Sequence, residues 1–387
     1  MMNRATAVAL ATAFFVCTAG LTADRGQTAG KTPPGRAKTT EPPAPFAGVS
    51  LKIADEKVPP GGIAQVKLFV TEPRPITTAG GRFSFDGFDS LEGVALMSPG
   101  GDAMGVGIWR GSALTLSIVS PSTTFGTDPD YPILTVAGRV SATAPLGVSF
   151  PLEMDLASLQ FTDPSGTVYP VHGGSGELFI SQNVNVEDVL PGSADLPAGA
   201  VVSIPGHGFD RTTRIRFKEA LLSNVTFVDP LHMLVTTGEP IRMHGRGIKV
   251  VNADGKETTY FSYQRVRRQF TSSEPTLRDA VAVFDSLQVT SGAFPVGAGT
   301  TGIALQNRGD APVMATAELL NAAGKPLASV PIRIGASRSL VASLPEVFGL
   351  GIRFDASQVV RVRAAGPIQV MGIAVTGPGV AAPIVPR

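Results

Sequence analysis

The sequence predicts an all-β protein, built as three consecutive β-sandwich domains behind a signal peptide and a Pro-rich linker. Three observations lead there. Apolar and polar residues alternate over many short runs, such as Val49, Leu51 and Ile53 or Ile215 and Phe217, which is the period of a half-buried strand. Gly (44) and Pro (32) separate those runs at the short spacing of sandwich turns. A helical period is lacking, apart from one short stretch around Ser343 to Phe348.

Composition narrows the class of function. With 43% hydrophobic and 16% charged residues in 387, the chain can bury sizeable cores. Its 32 basic and 31 acidic residues leave a formal charge of +1, which argues against nucleic acid or an anionic membrane as the main partner.

At the N-terminus Arg4 supplies a positive region and Ala7 to Val16 an apolar core of about ten residues, too short to span a bilayer. Residues 1–23 therefore read as a secretory signal, cleaved after Ala19 or Ala23, and the protein is expected to be secreted or attached to the outer cell surface. Cys17, the single cysteine, lies inside that signal, so neither a disulfide nor thiol chemistry is expected after cleavage. No other apolar run reaches spanning length, and no transmembrane segment is predicted. Residues 24–45, with Pro33-Pro34 and Pro42-Pro43, form a stiff Pro/Thr linker.

The first domain is placed at 46–182. Leu51 to Val70 reads as strand, turn and strand, with Pro59-Pro60-Gly61-Gly62 as the turn. Gly81-Arg82-Phe83-Ser84-Phe85-Asp86 leads to Leu91 and Val94, Leu134 to Ala142 follows, and an Asp163-Pro164-Ser165-Gly166 turn precedes Gly176 to Ile180. In this order the segments resemble cohesin and the related carbohydrate-binding-module sandwich. That resemblance implies a β-sandwich whose partner is an extracellular protein module of dockerin type, or a polysaccharide.

The second domain is placed at 183–264, joined by a junction short enough to limit its freedom. Gly206-His207-Gly208-Phe209, the strand Ile215 to Phe217, Val250 to Gly255 and Phe261-Ser262-Tyr263 resemble the IPT/TIG family. The resemblance implies an immunoglobulin-like sandwich that binds or spaces. Residues 265–280, charged and polar, read as a second linker. The third domain, 281–387, carries Thr301-Gly302-Ile303-Ala304-Leu305-Gln306-Asn307, a turn at Asn321 to Gly324, the short helix, and Pro367 to Met371 as its last strand. It resembles a β-sandwich module of bacterial surface proteins, to which no chemistry is attached.

Motifs that carry chemistry have structural readings here. Gly297 to Gly302 fits G-x-G-x-x-G, but Ile303 to Asn307 reads as a strand where a dinucleotide site needs a helix. His172-Gly173-Gly174-Ser175-Gly176 lacks the strand-turn-helix context of a nucleophile elbow. His172, His207, His232 and His244 are not spaced as metal ligands. No catalytic, cofactor or metal residue is assigned. A structural calcium ion at turns holding Asp128, Asp130, Asp163 or Asp254 is left open, without a ligand set. Asn224-Val225-Thr226 fits the N-glycosylation acceptor, with an ordinary loop as its alternative.

The candidate ligand contacts are aromatic. Trp109, Tyr131 and Tyr169 all fall in the first domain, and a flat ring can lie on a sugar face. Trp109, in Gly107-Ile108-Trp109-Arg110-Gly111, reads as an exposed turn. The expectation is a non-enzymatic binding or scaffold protein that recognises protein or polysaccharide. The alternatives are a carbohydrate-binding accessory of a polysaccharide-degrading system and a structural envelope or adhesion subunit that pairs through edge strands.

Overall fold

Alternation in the sequence becomes pleated strands with one buried face. In Val49–Ile53 the residues Val49, Leu51 and Ile53 are buried and Lys52 is exposed. The computed structural model describes residues 48–386, apart from 99–100, 122–127, 129, 192–194, 244, 263–267, 286, 298–300 and 378–379. The expected signal peptide with Cys17, the 24–45 linker, His244 and Tyr263 lie outside the described residues.

Two sheets make the first sandwich. One runs Val171–Gly174, Val49–Ile53, Ile63–Val70, Leu134–Val140, Phe88–Leu96. The other runs Glu56–Val58, Gly176–Ile180, Ser149–Met154, Thr78–Phe85, Ala113–Val119, Met104–Arg110, Ala280–Phe284. Between them lies a core containing Phe85, Leu114, Leu116, Leu152 and Phe161. The turn foreseen at Asp163 forms: Gly166 N donates to Asp163 O at 3.0 Å.

Four strands of the middle sandwich, Asn185–Val186, Val201–His207, His232–Thr237 and Leu222–Asp229, face a sheet of Arg214–Phe217, Gly247–Val251 and Glu257–Phe261. The two halves of its sequence motif meet through buried Asn252, which donates from Nδ2 to Gly208 O at 2.8 Å and accepts from Thr213 Oγ1 at 2.7 Å. Gly206 is required there. A Cβ would stand 2.1 Å from Asn185 O, and Phe209 fills the remaining space.

The third sandwich is organised by Val359–Gly377, a strand of 19 residues long enough to join both sheets. Pro367 to Met371 lies inside it and is not the last strand; Val380–Ile384 follows and pairs back onto it. The short helix is present as Leu344–Phe348. Ser343 caps it, Glu346 completes a reciprocal capping box, and Pro345 sits in the first turn, where its missing N–H costs nothing.

The 265–280 stretch does not behave as a linker in its described part. Arg268–Thr271 pairs in parallel with Arg338–Ser343 in the third sandwich. Ala280–Phe284 then crosses to the first sandwich and pairs antiparallel with Met104–Arg110, Ala280 opposite Ile108 and Phe284 opposite Met104. All five of its residues are buried. Val281 and Val283 enter the core of the first sandwich, while Ala280, Ala282 and Phe284 join a separate cluster with Met104, Val106, Ile108, Val341, Met371 and Ile373. A run apolar on both faces is the mark of a strand covered on both sides, and Ala280-Val281-Ala282-Val283-Phe284 is such a run.

Glu346 ties this crossover to the helix. Its carboxylate accepts from Ser272 Oγ, Ser273 N and Ser273 Oγ, each at 2.6 Å, and from Ser343 N at 2.8 Å. Partial burial opposes ionisation, but these donors outweigh it and hold the carboxyl at about 2, below its ordinary 4.5. A depressed folded value means stability that is present above pH 4.5 and lost as the pH falls toward about 2. Glu346→Gln is expected to cost about 1 kcal/mol at neutral pH, solvent screening allowed for, and to flatten that acid limb. Urea unfolding of both proteins across the acid range checks this, and equal midpoints would refute it.

Candidate binding cleft

Where the first and middle sandwiches meet, strand period decides which side chains face the junction. In Ile63–Val70, Val66 and Leu68 point into the first core, so Gln65, Lys67 and Phe69 project from the opposite face. Gln65 is 2% exposed and Lys67 4%. Such burial of polar groups is tolerable only when they are paired.

Both are paired. Gln65 Nε2 donates to Phe261 O at 2.8 Å, and Phe261 N donates to Gln65 Oε1 at 2.7 Å. The amide thus behaves like one more residue of sheet on the edge of Glu257–Phe261. Asn185 repeats the device from the other side: its Nδ2 donates to Ile63 O at 2.9 Å and its Oδ1 accepts from Ile63 N at 3.2 Å. Asn183 Nδ2 reaches both Glu257 O at 2.8 Å and Lys57 O at 3.3 Å. Ile63, Ala95 and Ala137 of the first sandwich are part of the apolar cluster of the middle one. Side-chain amides reading backbone across a buried seam hold the two sandwiches in one orientation.

Beside this seam opens a cleft of about 740 Å³. Its floor holds Lys67, whose Nζ donates to Glu56 Oε2 at 2.6 Å, with side chains 5% and 7% exposed. Burial pushes the Glu56 carboxyl up, and the charge and hydrogen bond of Lys67 pull it back. Half-buried Phe69 and Phe179 give the wall apolar surface. Asp55 and Lys57 stand on one rim, Asp254 and Lys256 on the other. Lys256 holds the Asp254 carboxyl below its ordinary range from 2.8 Å. A recess with both signs of charge and aromatic walls suits a folded or extended polypeptide carrying complementary charges.

The three aromatic candidates do not gather into one surface. Trp109 lies within the strand Met104–Arg110, not in an exposed turn; it is half-buried and stacks on Phe85 with centroids 6.1 Å apart. The glycines on either side, Gly107 and Gly111, misled the turn reading; that strand is covered on its outer face by the third sandwich. Tyr131 lies edge-on to Phe261 at 6.3 Å, and Lys218 Nζ sits 3.9 Å from its ring centre. Tyr169 donates from its hydroxyl to Asp163 Oδ2 at 3.1 Å.

The turn acids are used locally. Asp163 accepts from Ser165 N, Ser165 Oγ and Thr167 N, and Asp128 accepts from Asp130 N. His207 is 3.0 Å from Glu187, His232 is 3.3 Å from Asp229, and His172 lies on an exposed strand. Among the described residues no three His, Cys, Asp or Glu side chains gather as metal ligands. After His172 the chain continues into the strand Gly176–Ile180, and Gly302 lies in Thr301–Asn307, so neither glycine motif opens a helix. The residues that build the seam and the cleft floor, Gln65, Asn183 and Asn185 in the one and Glu56 and Lys67 in the other, had no local signal. Polar residues at alternate strand positions read as a solvent face until another domain covers them.

No protein-family profile and no curated protein matches the chain. Among the solved structures it is similar to are cohesin domains. One is a non-cellulosomal cohesin from Archaeoglobus fulgidus, at 18% identity, covering 35% of this chain and 91% of that one with a TM-score of 0.30. Another is the sixth cohesin of scaffoldin B from Acetivibrio cellulolyticus, solved with a dockerin, at 17% identity, covering 35% and 99% with a TM-score of 0.30. A third, from Clostridium acetobutylicum, is 14% identical and covers 35% and 92% with a TM-score of 0.31. At these scores the likeness carries no conclusion about this chain. Among the described residues no helix is long and apolar enough to cross a membrane.

Proposed function

We propose that this chain is a non-enzymatic binding or scaffold protein of the cell exterior, and that the cleft between its first and middle sandwiches receives a protein partner. The observation that carries this reading is the amide-clamped seam. Gln65, Asn183 and Asn185 hold the two cleft walls in register, so a partner meets a preformed site and little ordering cost opposes binding. Charges of both signs on the rim favour a polypeptide over a neutral polysaccharide. The aromatic residues suited to sugar stacking are each engaged by the chain's own groups. The middle sandwich, read as IPT/TIG-like, and the third sandwich then brace the recognition module.

The test is capture from the source organism's secreted fraction by the whole chain, followed by rebinding of the purified partner. Lys57→Glu and Phe179→Ala, both on the cleft wall, are expected to weaken rebinding at least about ten-fold each. A washed insoluble polysaccharide panel runs beside it with Trp109→Ala. Rebinding indifferent to both cleft variants would refute the cleft as the site. Retention on polysaccharide, lost with Trp109→Ala, would replace it with the carbohydrate-binding reading.

A further inference from the structure

A sheet edge presents a row of unpaired N–H and C=O groups, a template for pairing with another extended strand. Most long edges in this protein carry a guard against such pairing. Phe88–Leu96 carries Asp89 and Glu92. Pro326–Ile334 contains Pro331 and Arg333. Arg214–Phe217 carries two arginines, and Glu257–Phe261 ends on the Gln65 amide.

Leu222–Asp229 is different. It pairs with His232–Thr237 on one side and with no described strand on the other. Ser223, Asn224, Val225 and Thr226 are all exposed. From Leu222 to Val228 there is no proline and no charge. Its register slips between Leu222 and Asn224 and again between Phe227 and Asp229, leaving Asn224 to Phe227 as a regular window.

We infer that this edge pairs with the same edge of a second copy of the chain, antiparallel about a two-fold axis at Thr226. The flanking residues identify the occupant. Leu221, 69% exposed, stands just before the strand, and Leu231, 49% exposed, stands just after it. Two-fold antiparallel pairing brings Leu221 of each copy to the Pro230-Leu231 turn of the other, so both exposed leucines are covered at both ends. Uncharged strands put no like charges opposite one another. The pairing joins two four-stranded sheets into one continuous sheet, on a surface made of residues other than those lining the cleft.

In this register Thr226 of one copy lies opposite Thr226 of the other, which makes the inference testable by charge. Sedimentation velocity of the whole chain, from low to high micromolar, is expected to show a monomer–dimer equilibrium. Thr226→Lys and Thr226→Glu, at an exposed position, are each expected to abolish the dimer over that range, because like charges then face each other. An equimolar mixture of the two variants should recover it, because each lysine then faces a glutamate. Circular dichroism and melting curves confirm that both variants fold. A wild-type chain that stays monomeric overturns the inference. So does a dimer that survives both substitutions, and so does a mixture that fails to reassociate.

Discussion

Val283→Asp is expected to unfold the first sandwich and to loosen the third with it. Val283 is 1% exposed and belongs to the first core, although it lies after all the strands of the middle sandwich in sequence. An aspartate there has no counter-charge to meet, and the cost is on the order of 5 kcal/mol, comparable with the net stability of a typical domain. Leu327→Asp, at a position 53% exposed on an outer strand, should change stability by less than about 0.5 kcal/mol. Thermal melts and limited proteolysis distinguish the two. If Val283→Asp melts like the wild type, Ala280–Phe284 does not close the first sheet in solution. The same pairing predicts that a fragment of residues 46–264, which leaves the edge of Met104–Arg110 unpaired, melts well below the same fragment extended to 285, which restores the edge strand and returns Val281 and Val283 to the core.

The second large effect is expected at the floor of the cleft. Lys67→Met removes the only charge paired with Glu56 among the described residues and leaves a buried carboxylate behind. The expected loss at neutral pH is about 3–5 kcal/mol. Burial already raises the Glu56 carboxyl, so in the variant the group is protonated at still higher pH, and the deficit should shrink as the pH is lowered through that raised value. Glu56→Leu combined with Lys67→Met should recover most of the stability, because an apolar pair of similar volume carries no desolvation cost. Urea midpoints of the single and double variants decide it. A single-variant loss under about 1 kcal/mol would mean that water reaches the pair and that the cleft floor is wet.

These two sites mark where local reading succeeds and where it stops. Strand alternation, Gly/Pro turns and the short helix around Ser343 to Phe348 were legible because each signal spans only a few residues. The Gly206 to Phe209 and Val250 to Gly255 segments were legible as a pair, and Asn252 joins them. Trp109 was misplaced because the four-residue neighbourhood of a glycine-rich strand resembles that of a turn.

By itself the sequence determined that the chain is all-β, which faces of many of its strands are apolar, where most of its turns fall, and that a short helix lies around Ser343 to Phe348. Only the tertiary structure decided that Ala280–Phe284 completes a sheet begun at Glu56, and that Gln65 and Lys67 are buried. The physical reason is the range of the forces involved. Dihedral preference and capping act between neighbours in the chain, so they are written locally. Which strand fills an open edge, and which domain covers a polar face, depends on surfaces distant in sequence that meet only once the chain is folded.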